Sequence, residues 1–471
     1  MKENMKIIKL IALMVIICNV HSIKAQIDTT VFKFSDYMKV VKENHPIAMV
    51  ADLNVEKGKA NVRSNRGFFD PTLFHEMSNK QFDDSEYYRL SRGGLKVPTW
   101  FGIDFEGGMQ QSRGDYLNPQ NYLPSDGLLF AGVSVPVGQG LFIDKRRADF
   151  KTAQLYNNMT KLERRLILND LLLEAGKAYW QWFANYTNFL IYKDALELAE
   201  ERFTAVKGGA EFGDRPSMDT LEVGIQVQIR MILLQEARLK LRNSMAMLSM
   251  YLWQDGYIPL ELEESTIPED WRKVEERNSN ISLQHDTLIA SHPKIQQYRL
   301  EIDRLNIEKK LKKEMLKPVL NIKYNLLSTN NQNSFSELQL DNYMWGLEFK
   351  MPIFLRKERG DLRLAKIKVR EANLKIKPQQ ANLEYKYEAA LNELEITESQ
   401  IKTTRKMVDD YFQLLKGERQ LFEAGESSLF LVNSREVGYI GAQVKLAEFI
   451  SKNQEAVLKT QYALGRLAEM I

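Results

Sequence analysis

Apolar side chains recur at every seventh residue along two stretches of this chain: Met159, Leu166, Leu173 and Trp180 in the first, Val227, Leu234, Leu241 and Leu248 in the second. A repeat of seven is a coiled-coil-like seam, one narrow face of a helix that seeks a neighbour. From Leu141 to Lys207 there is no proline and one glycine, Gly176, so the pattern predicts an unbroken helix roughly 100 Å long at about 1.5 Å per residue. The stretch Gly208 to Ser217 then punctuates the chain: glycines end one helix, and Pro216-Ser217 open the next with Asp219 in its first turn. Two long helices folded back at one corner follow. Their stripe is too narrow for the hairpin to bury by itself, so the rod needs neighbours along its length.

Elsewhere the period is two. Leu320, Ile322, Tyr324 and Leu326 alternate with Asn321, Lys323 and Asn325, and Trp345, Leu347, Phe349 and Met351 with Gly346, Glu348 and Lys350. In the first half Phe101, Ile103, Phe105 and Met109 form one such row and Ala131, Val133, Val135 and Val137 another. Four strands are expected, each with an apolar and a mostly polar face. They suit either a half-buried soluble sheet or membrane strands with aromatic girdles; the long helices leave little else to cover the apolar rows. Residues 68–97 are either an added hairpin or an extension of the first strand.

The punctuation repeats. Asn44-His45-Pro46 and Ser291-His292-Pro293 both open helices, and Asp70-Pro71 and Lys317-Pro318 both close them. The offset is the same, 292 − 45 = 247 and 318 − 71 = 247. Val135-Pro136-Val137 precedes the first long arm as Met351-Pro352-Ile353 precedes a second, from about Phe354 to Ala424, and Gly213-Asp214 is answered by Gly425-Glu426-Ser427-Ser428. An internal duplication is expected, with a kink or interruption at Pro378. Residues 253–280 connect the halves against the outside of the rod.

Composition narrows the function. The 471 residues carry a net charge of +3 from 65 basic and 62 acidic side chains, closely interspersed, which gives no basic surface for nucleic acid. Lys2, Lys6 and Lys9 precede an apolar run from Leu10 to Val20, and Ile23-Lys24-Ala25 offers a cleavage site, so residues 1–25 read as a signal peptide. The one cysteine, Cys18, lies within it, and Val15-Ile16-Ile17 lacks the small residues that precede a lipidated cysteine. Beyond the signal no run of 18 apolar residues occurs, which excludes a membrane helix but not membrane strands. His45, His75, His285 and His292 have no metal-binding spacing, and no phosphate loop or nucleophile elbow is present. No enzyme, cofactor, catalytic or metal site is expected. The aromatic cluster Tyr179, Trp180, Trp182, Phe183, Tyr186, Phe189 and Tyr192 is too broad for one stripe and is expected to pack under the connecting segment.

Four strands cannot close a membrane barrel, and open edges are not tolerated in lipid, so several copies would have to share one wall. The order of helix, proline break, strands, proline, long helix, glycine-acidic corner and long helix, given twice after a signal peptide, resembles the TolC-like outer membrane efflux protein family. The likeness runs from about Ser35 to Ile471. It is carried locally by Phe212 to Glu222, by Phe422 to Val432 and by Phe69-Asp70-Pro71.

The resemblance implies an α+β membrane protein of two tandem repeats, residues 26–252 and 281–471. Its long coiled-coil-like helices would form a periplasmic α-barrel, and its four strands one third of a trimeric 12-stranded transmembrane β-barrel. It implies a homotrimer in outer-membrane lipid, a passive export duct that works with an inner-membrane transporter and a periplasmic adaptor. The adaptor would dock at the corners, Gly213, Asp214, Gly425 and Glu426. Family members close this end with acidic rings beyond a corner. Here Leu431 and Ser434 stand at the corresponding places of the second half, so Asp219 and Glu222 are the candidate acidic constriction and Leu431 a candidate apolar ring. The pair equally suits a helix N-terminus through its dipole. A secreted structural or adhesive coiled-coil protein without a pore is the alternative; an exported enzyme ranks third.

Overall fold

The computed structural model describes residues 30–213, 216–270, 291–329 and 341–470. The expected signal peptide, part of the connecting segment, His285 and the corner residue Asp214 lie outside the described residues.

Two short helices, α1 (Phe34–Asn44) and α2 (Pro46–Arg66), lead through Asp70-Pro71 into strands β2 (Thr72–Phe82), β3 (Ser85–Pro98), β4 (Asp104–Arg113) and β5 (Leu128–Pro136). The long arm α3 (Lys145–Glu211) and its return α4 (Ser217–Ser249) follow. After β6 (Trp253–Gln254), β7 (Ile258–Pro259) and β8 (Thr266–Pro268) the pattern recurs: α5 (Pro293–Glu314), β9 (Val319–Thr329), β10 (Tyr343–Lys350), the arm α6 (Arg356–Glu423) and its return α7 (Leu429–Ala463), closed by α8 (Leu467–Met470). A leading strand β1 (Thr30–Phe32) pairs in parallel with β8. The 67 residues of α3 and the 68 of α6 each span about 100 Å.

Three sequence expectations are corrected. The main sheet has six strands, not four, in the order β10-β9-β5-β4-β3-β2, because residues 72–98 form an added hairpin. Its two-residue turn is Asp83-Asp84, both with positive φ (53° and 54°), as a type I′ turn requires. The 12-strand total loses its basis with that count. The strand placed at Phe101 begins at Asp104, since Thr99 to Gly102 form a turn in which the Gly102 N–H donates to the Thr99 carbonyl. Of the kink or interruption expected at Pro378, the interruption does not occur, since α6 runs through it; Pro378 lies on the exposed face, where water can satisfy the carbonyl that its missing N–H frees.

The main core lies at mid-height, where α1 packs across α3. Tyr179, Trp180, Trp182 and Phe183 are buried there with Tyr37, Met38, Leu172 and Leu248. Of the aromatic cluster, Tyr179 reaches the described part of the connecting segment: its hydroxyl donates to the Phe32 carbonyl at 2.7 Å and accepts from the Glu269 N–H at 3.2 Å, while Tyr186, Phe189 and Tyr192 are only half-buried. One side chain thus ties α3 to β1 and to the residue that follows β8.

The two His-Pro openings are built alike. The imidazole Nδ1 of His45 accepts from the Ile47 N–H at 3.1 Å, and that of His292 from the Lys294 N–H at 3.0 Å, each with proline at the first helical position. An Nδ1 acceptor must be unprotonated. Burial, with Arg165, Lys294 and Lys386 nearby, holds His292 down at about 4, and burial lowers His45 as well. The His292 contribution is complete above the ordinary histidine value of about 6.5 and is lost as pH falls towards about 4. His292→Asn supplies a cap that does not titrate. The variant should flatten the fall in thermal stability between pH 6.5 and 4, measured by circular dichroism.

Candidate functional site

The sheet has two unlike faces, set by register. Directly paired residues share a face, so Phe105, Val133, Tyr324 and Trp345 form one cross-strand row, and Val135, Ile322 and Leu347 the next. These rows are apolar, and Ile322, Trp345, Leu347 and Phe349 are exposed. The opposite face carries Glu106, Ser134, Lys323, Asn325 and Glu348. On it Arg92 pairs with Glu106 at 2.6 Å, between the rings of Phe130 and Phe74.

Gly94 and Gly108 are direct partners across β3 and β4, both on the polar side. A Cβ on Gly94 would lie 2.4 Å from the Gly107 carbonyl oxygen, and one on Gly108 2.6 Å from the Gly94 Cα. Only glycine permits that close approach of the two strands. The sheet thus presents a polar face with an apolar back. At its base Phe68, Trp100, Phe101, Phe142, Ile353 and Phe354 stand exposed, a belt of the amphipathic kind found at membrane surfaces. Phe69 stacks on Trp100 at 4.2 Å, and Arg146 pairs with Asp104 at 2.9 Å, which fixes the sheet on the start of α3.

Below the sheet the helices form a layer: α3 packs on α4, α7 on α3 and on α6, and α5 bridges α3 and α6. Both margins keep an apolar stripe in the open. On α4 it is Met218, Leu221, Ile225, Ile229, Ile232 and Leu239; on α6 it is Leu364, Ile367, Leu374, Tyr385 and Ile396.

Both glycine corners sit at the far end. Gly213 and Gly425 have φ of +82° and +81°, and the second corner is a Schellman turn in which the Gly425 N–H donates to the Phe422 carbonyl and the Glu426 N–H to the Leu421 carbonyl. Ser428 caps α7 by accepting from the Leu431 N–H. Val206, Val223 and Leu429, with Phe203 and Phe422 against them, join the two hairpins at this tip.

Further up the hairpins from the tip lies a charged layer that the sequence did not reveal. The Arg202 guanidinium donates to Asn433 Oδ1 and Glu436 Oε2, both at 2.8 Å, and Arg419 lies 3.5 Å from the other Glu436 oxygen. Arg230 is also buried, and burial lowers it while Glu436 opposes the shift. One nearly buried carboxylate thus balances arginines from three helices. Spacing offered no signal, because isolated charges inside a seam read like a solvated face.

Of the residues picked from sequence, Gly213, Gly425 and Glu426 are exposed at the tip beside Phe212 and Phe430. Asp219 and Glu222 are half-buried in the first turns of α4, and Glu222 Oε1 lies 3.5 Å from Asn433 Nδ2 at the margin of the charged layer. Leu431 is exposed at the start of α7. Among the described residues no helix is long and apolar enough to cross a membrane.

Residues 285–466 match the family model described as outer membrane efflux protein. No curated protein matches the chain in sequence. Solved structures match nearly its whole length. The Campylobacter jejuni CmeC outer membrane channel superposes with a TM-score of 0.64 at 13% identity, over 92% of this chain and 85% of that one. The open state of the Neisseria gonorrhoeae MtrE outer membrane channel gives 0.65 at 12%, over 91% and 88%. The outer membrane protein VceC of Vibrio cholerae gives 0.62 at 13%, over 92% and 95%. At such identities these structures show a common fold. The second half of the chain thus carries the sequence pattern of the outer membrane efflux protein family, and the chain as a whole shares the fold of these outer membrane channels.

Proposed function

We propose that three copies of this chain form a passive duct across the outer membrane, with the sheets as its wall in lipid and the long helices as its periplasmic extension. The observation that carries this reading is a sheet with one polar face and one exposed apolar face, continuous with helices whose two margins both expose apolar stripes. A face of that kind seeks lipid outside and water inside. Stripes on opposite margins, α4 on one and α6 on the other, suit a head-to-tail ring of identical copies. The two tandem halves, residues 26–252 and 281–471 joined by 253–280, then supply alternate segments of one tube.

In this arrangement the tip meets a periplasmic adaptor through Gly213, Asp214, Gly425 and Glu426, and an inner-membrane transporter supplies the energy. Asp219, Glu222 and Leu431, which lie on the first turns of α4 and α7, narrow the entrance. Mass measurement of purified protein tests the reading. A detergent-dependent trimer that conducts ions across a planar bilayer is expected; a monomer that stays soluble without detergent would overturn it.

A further inference from the structure

Among the described residues the six-stranded sheet ends on two unpaired edges, β2 and β10. In a chain with four strands β4 would offer its free edge to the neighbouring copy, but here β3 occupies that edge along ten residue pairs, from Arg89↔Arg113 to Pro98↔Asp104. A membrane wall cannot be left open. We infer that the wall closes between β2 of one copy and β10 of the next, so that three copies of the six-stranded sheet make a barrel of 18 strands. The inference rests on the trimer proposed above.

Direction and register both fit. All five pairings within the sheet are antiparallel, so β2 and β10 run in opposite senses and ring closure preserves the alternation. One row of partners crosses the whole sheet: Thr72, Lys96, Glu106, Gly132, Asn325 and Met344. Thr72 is the basal residue of β2, whereas β10 continues below Met344 to Lys350. Bringing the two bases to one level therefore sets Thr72 beside the neighbour's Lys350, a stagger of six residues per copy (350 − 344). At about 3.3 Å per residue along the strand and about 4.8 Å between strands, six residues over six strands tilt the strands by about 35°, within the range of closed membrane barrels.

The hairpin is also fit to be wall. Its basal outward residues Leu73, Leu95 and Val97 continue the apolar rows of β4 and β5, and Glu76, Arg92 and Lys96 face the polar side. Barrel diameter grows roughly in proportion to strand number, so the outer mouth is about one and a half times as wide as a 12-stranded one, in the range that leaves an open aqueous channel. Exclusion by size then falls to the helical tip, and bulky hydrated cargo can pass the membrane segment.

Cross-linking tests the closure. The stagger places Ser78 opposite the neighbour's Met344, both on the polar face. In the Cys18→Ser background, which has no other cysteine, Ser78→Cys is combined in turn with Met344→Cys, Gly346→Cys and Glu348→Cys, and Gln110→Cys on β4 with the same three. Mild oxidation of the trimer in detergent should convert more than half of at least one Ser78 pair to covalent dimers and trimers and leave every Gln110 pair unlinked. Linkage through Gln110, or no linkage in a particle whose mass is still trimeric, would overturn the closure while sparing the trimer. A monomeric mass before oxidation would instead remove the trimer itself, and the inference with it.

Discussion

Arginine in place of Val133 is expected to cost about 2–4 kcal/mol per copy, the penalty of a cation at the lipid face near mid-membrane. Val133 stands in the middle of the row Phe105, Val133, Tyr324 and Trp345, so in the proposed barrel its side chain points to lipid and away from the polar face. The proposed trimer would carry three such charges, and insertion into lipid vesicles should fall steeply. Ser134→Arg, one residue along and therefore on the opposite face, places the same charge against the bore and should fold nearly as the parent does. Denaturant titration in vesicles measures both. Equal losses at the two positions would mean that neither face is lipid.

The second large effect lies at the other end of the molecule. Glu436→Gln leaves Arg202, Arg230 and Arg419 without their shared carboxylate in a layer where Arg230 and Glu436 are only 4% and 3% exposed. Removing one partner of a buried pair costs about 3–5 kcal/mol, because the remaining charge is stranded. The loss is local, since the layer joins the α3–α4 hairpin to the α6–α7 hairpin near the tip and the main core is far up the helices. Amide exchange should therefore accelerate around Arg202 to Glu211 and Leu429 to Glu436 and stay unchanged around Trp180. The double variant Arg202→Met, Glu436→Leu should lose less than the sum of the two single changes, because it removes a carboxylate and one of its cations together. Strict additivity would show that the contact couples nothing.

The long arms were legible because their signal is redundant: a seven-residue seam, the absence of proline and glycine corners all say the same thing. Gly213 and Gly425 adopt the left-handed conformation that their place after a helix foretold, and the two His-Pro openings cap helices as their position implied. The added hairpin was not legible, for physical reasons. The outward side of β3 carries Arg89, Ser91 and Gly93 before it reaches Leu95 and Val97, so its alternation is diluted where the strand leaves the apolar band. Its turn uses Asp83-Asp84 in place of the more telling asparagine-glycine or aspartate-glycine pairs. The buried arginines of the tip escaped for another reason, since a charge on a seam shows its burial only once four helices are placed around it.

Alternating water access along β9 tests the lipid-wall reading most directly. Single cysteines are introduced into the Cys18→Ser background at Leu320, Asn321, Ile322, Lys323, Tyr324 and Asn325, and the protein is reconstituted in vesicles. Expected is a period of two: a charged thiol reagent modifies the cysteines at 321, 323 and 325 quickly and those at 320, 322 and 324 at least tenfold more slowly, with the order reversed for a lipid-soluble reagent. Uniform labelling of all six positions by the charged reagent would contradict a polar bore backed by lipid.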